Sequence, residues 1–166
     1  MFSRKAGSRV TIVDIAAGNL AYMLQACDSA RLFEDVKNGT LRMALLHVLG
    51  PSISSLDEIG DAIKMLGASA KHFIVKNHIN ETNFFEWDQE SKYVTSLRAL
   101  EHVTINIPHL ASVANEAVQA AQEPFIGFAG GKGSRTLRGH VINYLSESFA
   151  EFDRVGLGQM IQDTFR

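Results

Sequence analysis

Residues 10–19 read Val-Thr-Ile-Val-Asp-Ile-Ala-Ala-Gly-Asn. Val10 to Val13 are all β-branched, a composition that favours extended chain. Asp14 follows, and the small residues Ala16, Ala17 and Gly18 permit a tight turn. The stretch reads as a strand over about 9–14 that delivers one carboxylate at its C-terminal end. In parallel α/β sheets, ligands bind beyond the carboxyl ends of the strands. Asp14 is therefore a candidate to hold magnesium beside a phosphate. The competing reading is a core strand whose Asp14 only caps the turn that follows.

Working outward, Leu20, Met23, Leu24 and Cys27 mark one face of a short helix. A polar stretch over 28–40 carries Leu32, Phe33 and Val36 and stops at Asn38-Gly39. Residues 41–49 (LRMALLHVL) form the second strand, nearly continuous in apolar residues, as for a strand covered on both faces. Ser54 and Ser55 stand three residues before Asp57 and Glu58, a capping-box spacing. Leu56, Ile59, Ile63 and Leu66 give one apolar stripe, so the spacing predicts a helix over 55–66 with Gly67 after its end. The third strand is 71–76 (KHFIVK), ending at Asn77. Residues 78–89 form a loop carrying Phe84, Phe85 and Trp87, read as packing down rather than as a partner patch. A helix over 90–100 follows, then a fourth strand over 103–107, stopped by Pro108. Further helices are expected over 110–122 and 135–152, with an extended piece at 124–128 between them. Ser134 is the expected N-cap of the last long helix, and the tail 153–166 adds one short helix. Strand and helix alternate four times, which argues for a parallel sheet with helices on both sides.

Composition sets the outer bounds. The chain has 166 residues, 46% apolar and 20% charged, enough for one globular domain with a substantial core. Sixteen basic and 18 acidic residues leave a net charge of −2, which gives no general reason to expect a nucleic-acid backbone. DNA contact would need a local basic patch. Cys27 is the single cysteine, so no internal disulfide or cysteine-rich zinc site can form. A reducing, cytoplasmic setting fits, with Cys27 as a small buried hydrophobe. No apolar run approaches the ~20 residues that span a bilayer. Arg4, Lys5 and Arg9 are not followed by the apolar region of a signal peptide. We read residues 1–8 as a disordered start, 9–152 as the α/β domain and 153–166 as the tail.

Several sharper motifs fail. Gly130-Gly131-Lys132-Gly133-Ser134 approaches the phosphate-loop pattern GxxxxGK[ST], but the pattern needs Gly at 126 and Ser or Thr at 133. The chain has Ile126 and Gly133, so the segment reads as a loop before a helix, with Arg135 and Arg138 as the basis of a minor anion reading. No histidine pair has the i, i+4 spacing of a helical zinc site. His47, His72 and His102 fall in strands as satisfied core or edge groups. His78, His109 and His140 fall near the expected ligand side or on a helix. There is no Gly-x-Ser-x-Gly elbow to carry a serine nucleophile.

What stands at the strand ends is more informative: Asp14, then Asn77, then Pro108-His109-Leu110. This set resembles the later part of a deviant P-loop ATPase of the ParA/MinD type. The segments that carry the resemblance are VTIVDIAAGN, FIVKNHIN, VTINIPHL and SRTLRGHVINYL, over about 9–152, and the last is most similar to the plasmid stability and mobilisation branch. The resemblance implies a three-layer α/β fold of the P-loop NTPase (SIMIBI-like) class with a mostly parallel sheet. It implies ATP and Mg2+ as cofactors, with Asp14 on the metal's water shell, Asn77 against the adenine edge, and Pro108, His109 and Leu110 lining the base pocket. It also implies an ATP-dependent homodimer and a partner protein. The chain departs from the family in one large respect. The lysine-containing glycine loop, with its strand and helix, should precede the aspartate strand, and residues 1–8 (MFSRKAGS) cannot supply it. The chain is therefore expected to be a partial fold, inactive by itself, with an open strand edge that promotes self-association. The alternative is an α/β interaction module that has lost nucleotide binding.

Overall fold

The computed structural model describes residues 10–16, 18–50, 59–79, 85 and 102–162. Its centre is a three-stranded parallel sheet of β1 (Ala44–Leu49), β2 (Lys71–Asn77) and β3 (His102–Ile107), in the order β1-β2-β3. Around it lie α1 (Leu20–Ser29), α2 (Leu32–Lys37), α3 (Ile59–Leu66), α4 (Ser112–Ala121), α5 (Phe125–Gly130), α6 (Arg135–Arg154) and α7 (Leu157–Gln162). The chain is thus α/β, with helices packed on both faces of the sheet.

Alternation along the strands decides which helices cover which face. On β2, Ile74 points to one side and joins Leu49, Ile59 and Phe85, with Ile63 of α3 packed against them. Phe73 and Val75 point to the other side and join Ile105 and Val155. Phe152 of α6, and Leu157 and Met160 of α7, close that second face. Helix α3 works in two directions because its stripe is wide. Ile59 and Ile63 meet the sheet, while Ala62 and Leu66 meet Leu24, Cys27, Phe33 and Val36 of α1 and α2. Gly67 follows α3 at φ +46°, the left-handed geometry that ends a helix at little steric cost.

A fourth apolar cluster lies among the last helices. Ala114 and Val118 of α4, Phe128 of α5 and Val141 of α6 are buried together, with Leu110, Phe125, Leu137 and Leu145 around them. The sequence reading made 124–128 extended; it is instead the start of α5. Phe125, Phe128 and Ala129 recur at three and four residues, which is a helical period, but the run is too short for periodicity to decide.

The larger correction concerns the opening stretch. Residues 10–14 form no strand, and no described strand pairs with them. Val10, Ile12 and Val13 are exposed, Ile12 to 88%. β-Branched composition favours an extended chain but does not supply the neighbour that a strand's N–H and C=O groups require. The second strand is also less covered than its apolar run suggested. Leu46 and Val48 are exposed on the α6 side of β1, Val48 to 60%. The expected capping box at 54–58, the helix over 90–100, Phe84 and Trp87, and the start 1–8 lie outside the described residues.

Candidate functional site

The C-terminal ends of β2 and β3 are brought side by side by the sheet register. Asn77 is the Cα partner of Ile107, the residue before Pro108. The His78 N–H donates to the Ile107 carbonyl at 3.1 Å, and the Ile79 N–H donates to the Asn77 carbonyl at 3.0 Å. The first bond extends the pairing one residue past β2 onto the end of β3, and the second turns the chain just after Asn77. Asn77, Pro108, His109 and Leu110 are all half-buried. Leu110 also packs into the cluster of α4, α5 and α6. Four of the five candidate residues therefore share one corner of the sheet.

His78 belongs to the same corner. Its ring stands edge-to-face on Phe85, with centroids 5.0 Å apart and an interplanar angle of 86°. The Lys76 ammonium lies 5.2 Å from the Phe85 centroid. Phe85 itself is buried against Leu49, Ile59 and Ile74, so this member of the aromatic loop packs down, as read from the sequence. The Nδ1 atom of His78 is buried without a hydrogen-bond partner. A buried polar atom left unpaired costs free energy, so His78 brings an unused hydrogen-bonding group to the strand ends.

Asp14 is not part of this corner. It is exposed and sits in coil ahead of α1. With Ile12 and Val13 it forms one wall of an open groove of about 730 Å3, whose other wall is Tyr22, Met23, Ala26 and Ala30. None of the strand-end candidates lines this groove. Among the described residues, no group of three His, Cys, Asp or Glu side chains is placed to hold a metal ion. No described helix is long and apolar enough to cross a membrane.

Two polar arrangements have partners that the sequence did not show, although His47 and His72 are the satisfied core histidines it indicated. The first joins His47 of β1 to His72 of β2, buried on the α3 face. His72 Nε2 is 3.0 Å from the Gly67 carbonyl and must carry its proton there. His72 Nδ1 is then an acceptor, and His47 Nε2–H donates to it across 3.1 Å. The rings are nearly parallel, at 8° and 5.4 Å between centroids. Burial, and secondarily the neighbouring His72, push the His47 imidazolium down to about 4, so His47 is neutral at pH 7. These are core histidines satisfied by each other and by the end of α3.

The second arrangement is Glu151 and Arg154 of α6. Arg154 Nε and Nη2 each donate to a different oxygen of Glu151, both at 2.8 Å. The Glu151 carboxylate accepts the Asn106 N–H at 2.9 Å, and Arg154 Nη2 donates to the Thr104 carbonyl at 2.6 Å. The Arg154 guanidinium and the Asn106 amide hold the Glu151 carboxyl down to about 2. An acid and a base three apart on a helix are visible in sequence. Their strand target is not.

The near-miss glycine loop is structural. Ser134 stands at the N-cap of α6 but makes no side-chain cap bond. Arg138 Nη1 donates to the Gly131 carbonyl at 2.5 Å and ties the loop back to the helix.

Compared with protein-family models, curated proteins and solved structures, the chain matches none.

Proposed function

We propose that this chain is the nucleotide-binding portion of a ParA/MinD-like ATPase of the partition, plasmid-stability or positioning kind, with a partial P-loop NTPase fold. The observation that carries this reading is the pairing of Asn77 with Ile107, which sets an amide and a proline loop side by side at the carboxyl edge of a parallel sheet. A carboxamide offers both a donor and an acceptor and so complements the edge of adenine. Pro108 and Leu110 supply apolar surface for the face of the base. His109, between them, completes the base pocket, and the unpaired Nδ1 of His78 gives a further polar contact.

Magnesium in such sites is held by one or two carboxylates together with phosphate oxygens and water. Asp14 fits that donor set in kind, and its role would be to orient metal-bound water. The groups that cradle phosphate, a glycine-rich turn with its lysine at a helix start, have no counterpart in the sequence. In this reading ATP and Mg2+ serve the intact family member, which dimerises on nucleotide and engages a partner protein.

The second reading is a non-catalytic interaction module built on the same sheet. The observation that favours it is the exposed position of Asp14, off the sheet and apart from the strand-end residues. Equilibrium binding of a fluorescent ATP analogue with Mg2+ separates the two. The nucleotide reading expects saturable binding that Asn77→Ala weakens by about tenfold, the loss of one hydrogen-bonding group. Tight binding that is lost in Asn77→Ala excludes the interaction module.

A further inference from the structure

Helix α6 carries a second apolar stripe, turned away from the core. Val141 and Ser148 define its inward side, buried against α4, α5 and the sheet. At 3.6 residues per turn, Arg135, Ile142, Phe149 and Asp153 fall along another line, roughly a third of a turn away. Ile142 and Phe149 are 51% and 50% exposed. Gly139 and Ser146 lie beside them and leave room for a neighbour's larger side chains. The two ends of the line carry opposite charge, Arg135 at the start and Asp153 at the end, both exposed. Neither has an ion-pair partner among the described residues.

The line is complementary to itself when reversed. A two-fold axis between Leu145 and Ser146 sets Ile142 of one copy level with Phe149 of the other, and Phe149 level with Ile142. The same operation sets Asp153 level with Arg138. Arg135 is three residues further on, about 4.5 Å along the axis, within the reach of its side chain. Arg138 is committed to the Gly131 carbonyl, so Arg135 is the cation left for Asp153. A parallel pairing would instead stack Arg135 on Arg135 and Asp153 on Asp153.

We propose that this face of α6 docks a second copy of the chain, helix against antiparallel helix, through Ile142 and Phe149 with Arg135–Asp153 pairs at both ends. An isologous contact of this kind closes on itself as a dimer. A 20-residue helix is about 30 Å long. Two apolar side chains and a pair of exposed charges per copy make a small contact, so the dimer exchanges with monomer as concentration changes. No candidate nucleotide residue lies on the stripe, and the pairing does not depend on nucleotide.

Analytical ultracentrifugation of the full chain without nucleotide tests this. The expected result is a mass that rises from monomer to dimer with concentration. Ile142→Glu and Phe149→Glu should each hold the chain as monomer; the thermal melt should stay nearly unchanged in Ile142→Glu and fall modestly in Phe149→Glu, because the Phe149 ring also stands edge-on to Phe152. Arg135→Glu or Asp153→Arg alone should weaken association by roughly tenfold, because two symmetry-related exposed pairs are lost. The double variant Arg135→Glu/Asp153→Arg should recover it, as should an equimolar mixture of the two single variants. A monomer at every concentration overturns the proposal. So does association that survives Ile142→Glu and Phe149→Glu, or that Val48→Lys on the open strand edge abolishes instead. A double variant no stronger than either single overturns the antiparallel arrangement.

Discussion

The two edges of the sheet are treated very differently. Ile107 turns its carbonyl towards β2, so Thr104 and Asn106 turn their backbone groups outward from β3. Those outward groups meet Glu151 and Arg154, which give an acceptor to the N–H and a donor to the C=O. The ion pair takes the place of a fourth strand. At the other edge, Met43 turns its carbonyl towards β2, so Ala44, Leu46 and Val48 turn their backbone groups outward from β1. No described residue pairs with them, and the Leu46 and Val48 side chains are exposed as well. Among the described residues, one edge is sealed by side chains and the other is left as a template for pairing. What holds β1 in place is therefore its inner side, where His47 reaches His72.

The largest effect should come from breaking that inner attachment. His72→Ala removes the acceptor for His47 and the donor for the Gly67 carbonyl, and opens space beneath α3. A cost of about 3–4 kcal/mol is expected from denaturant unfolding, combining two lost buried hydrogen bonds with a cavity. A loss below ~1 kcal/mol would mean that β1 is anchored elsewhere.

Acid should attack the same side and spare the other. His47 has a folded value near 4 against 6.5 for the free side chain, so the unfolded chain binds the extra proton first. The stabilisation is complete above pH 6.5, is lost as pH falls towards 4, and changes no further below that. The shift corresponds to at most about 3 kcal/mol. Glu151, held at about 2 against 4.5, keeps its charge over this whole window. Its contribution is present above 4.5 and is lost as pH falls from 4.5 towards 2. Subtracting the stability profile of His47→Leu from that of the natural chain should isolate the step between 6.5 and 4. A difference profile flat across that window would remove His47 as its source.

These contacts also mark how far the sequence could be read. Ile59, Ile63 and Leu66 announced α3, and KHFIVK and VTINI announced β2 and β3, because each carries its period within a few residues. The parallel direction of those strands and the helices on both faces followed from alternation. The corner of Asn77 and Pro108 could be named because strand ends are where ligands collect. Residues 10–14 misled because extended propensity is local whereas strand pairing is not. His47 and His72 sit 25 residues apart, and their bond depends on a register that no local pattern encodes. The same holds for Glu151 and Asn106, 45 residues apart.

Unsealing β3 should cost less than breaking the inner side of β1. Glu151→Ala leaves the Asn106 N–H to water and frees Arg154. The pair is partly exposed, so screening limits the expected loss to about 1 kcal/mol in the melt. The sharper readout is hydrogen exchange at the Asn106 amide, which should become much faster while the amides between β1 and β2 keep their protection. Unchanged exchange at Asn106 would mean that the ion pair is not what closes this edge.

The smallest effect on stability should come from Val48→Lys. The side chain is already in solvent, so denaturant unfolding should move by no more than about 0.5 kcal/mol. Its effect belongs to association, because a lysine on an unpaired strand penalises addition of another apolar strand. If the outward groups of β1 recruit other copies at high concentration, Val48→Lys should lower the turbidity and higher-order species that form on prolonged incubation. Glu151→Ala should raise them by opening the second edge. Those two opposite responses, with the folded state nearly unchanged in the first, follow only if the edges differ as their hydrogen bonds indicate. A Val48→Lys chain that aggregates as fast as the natural one would show that β1 is already covered in solution.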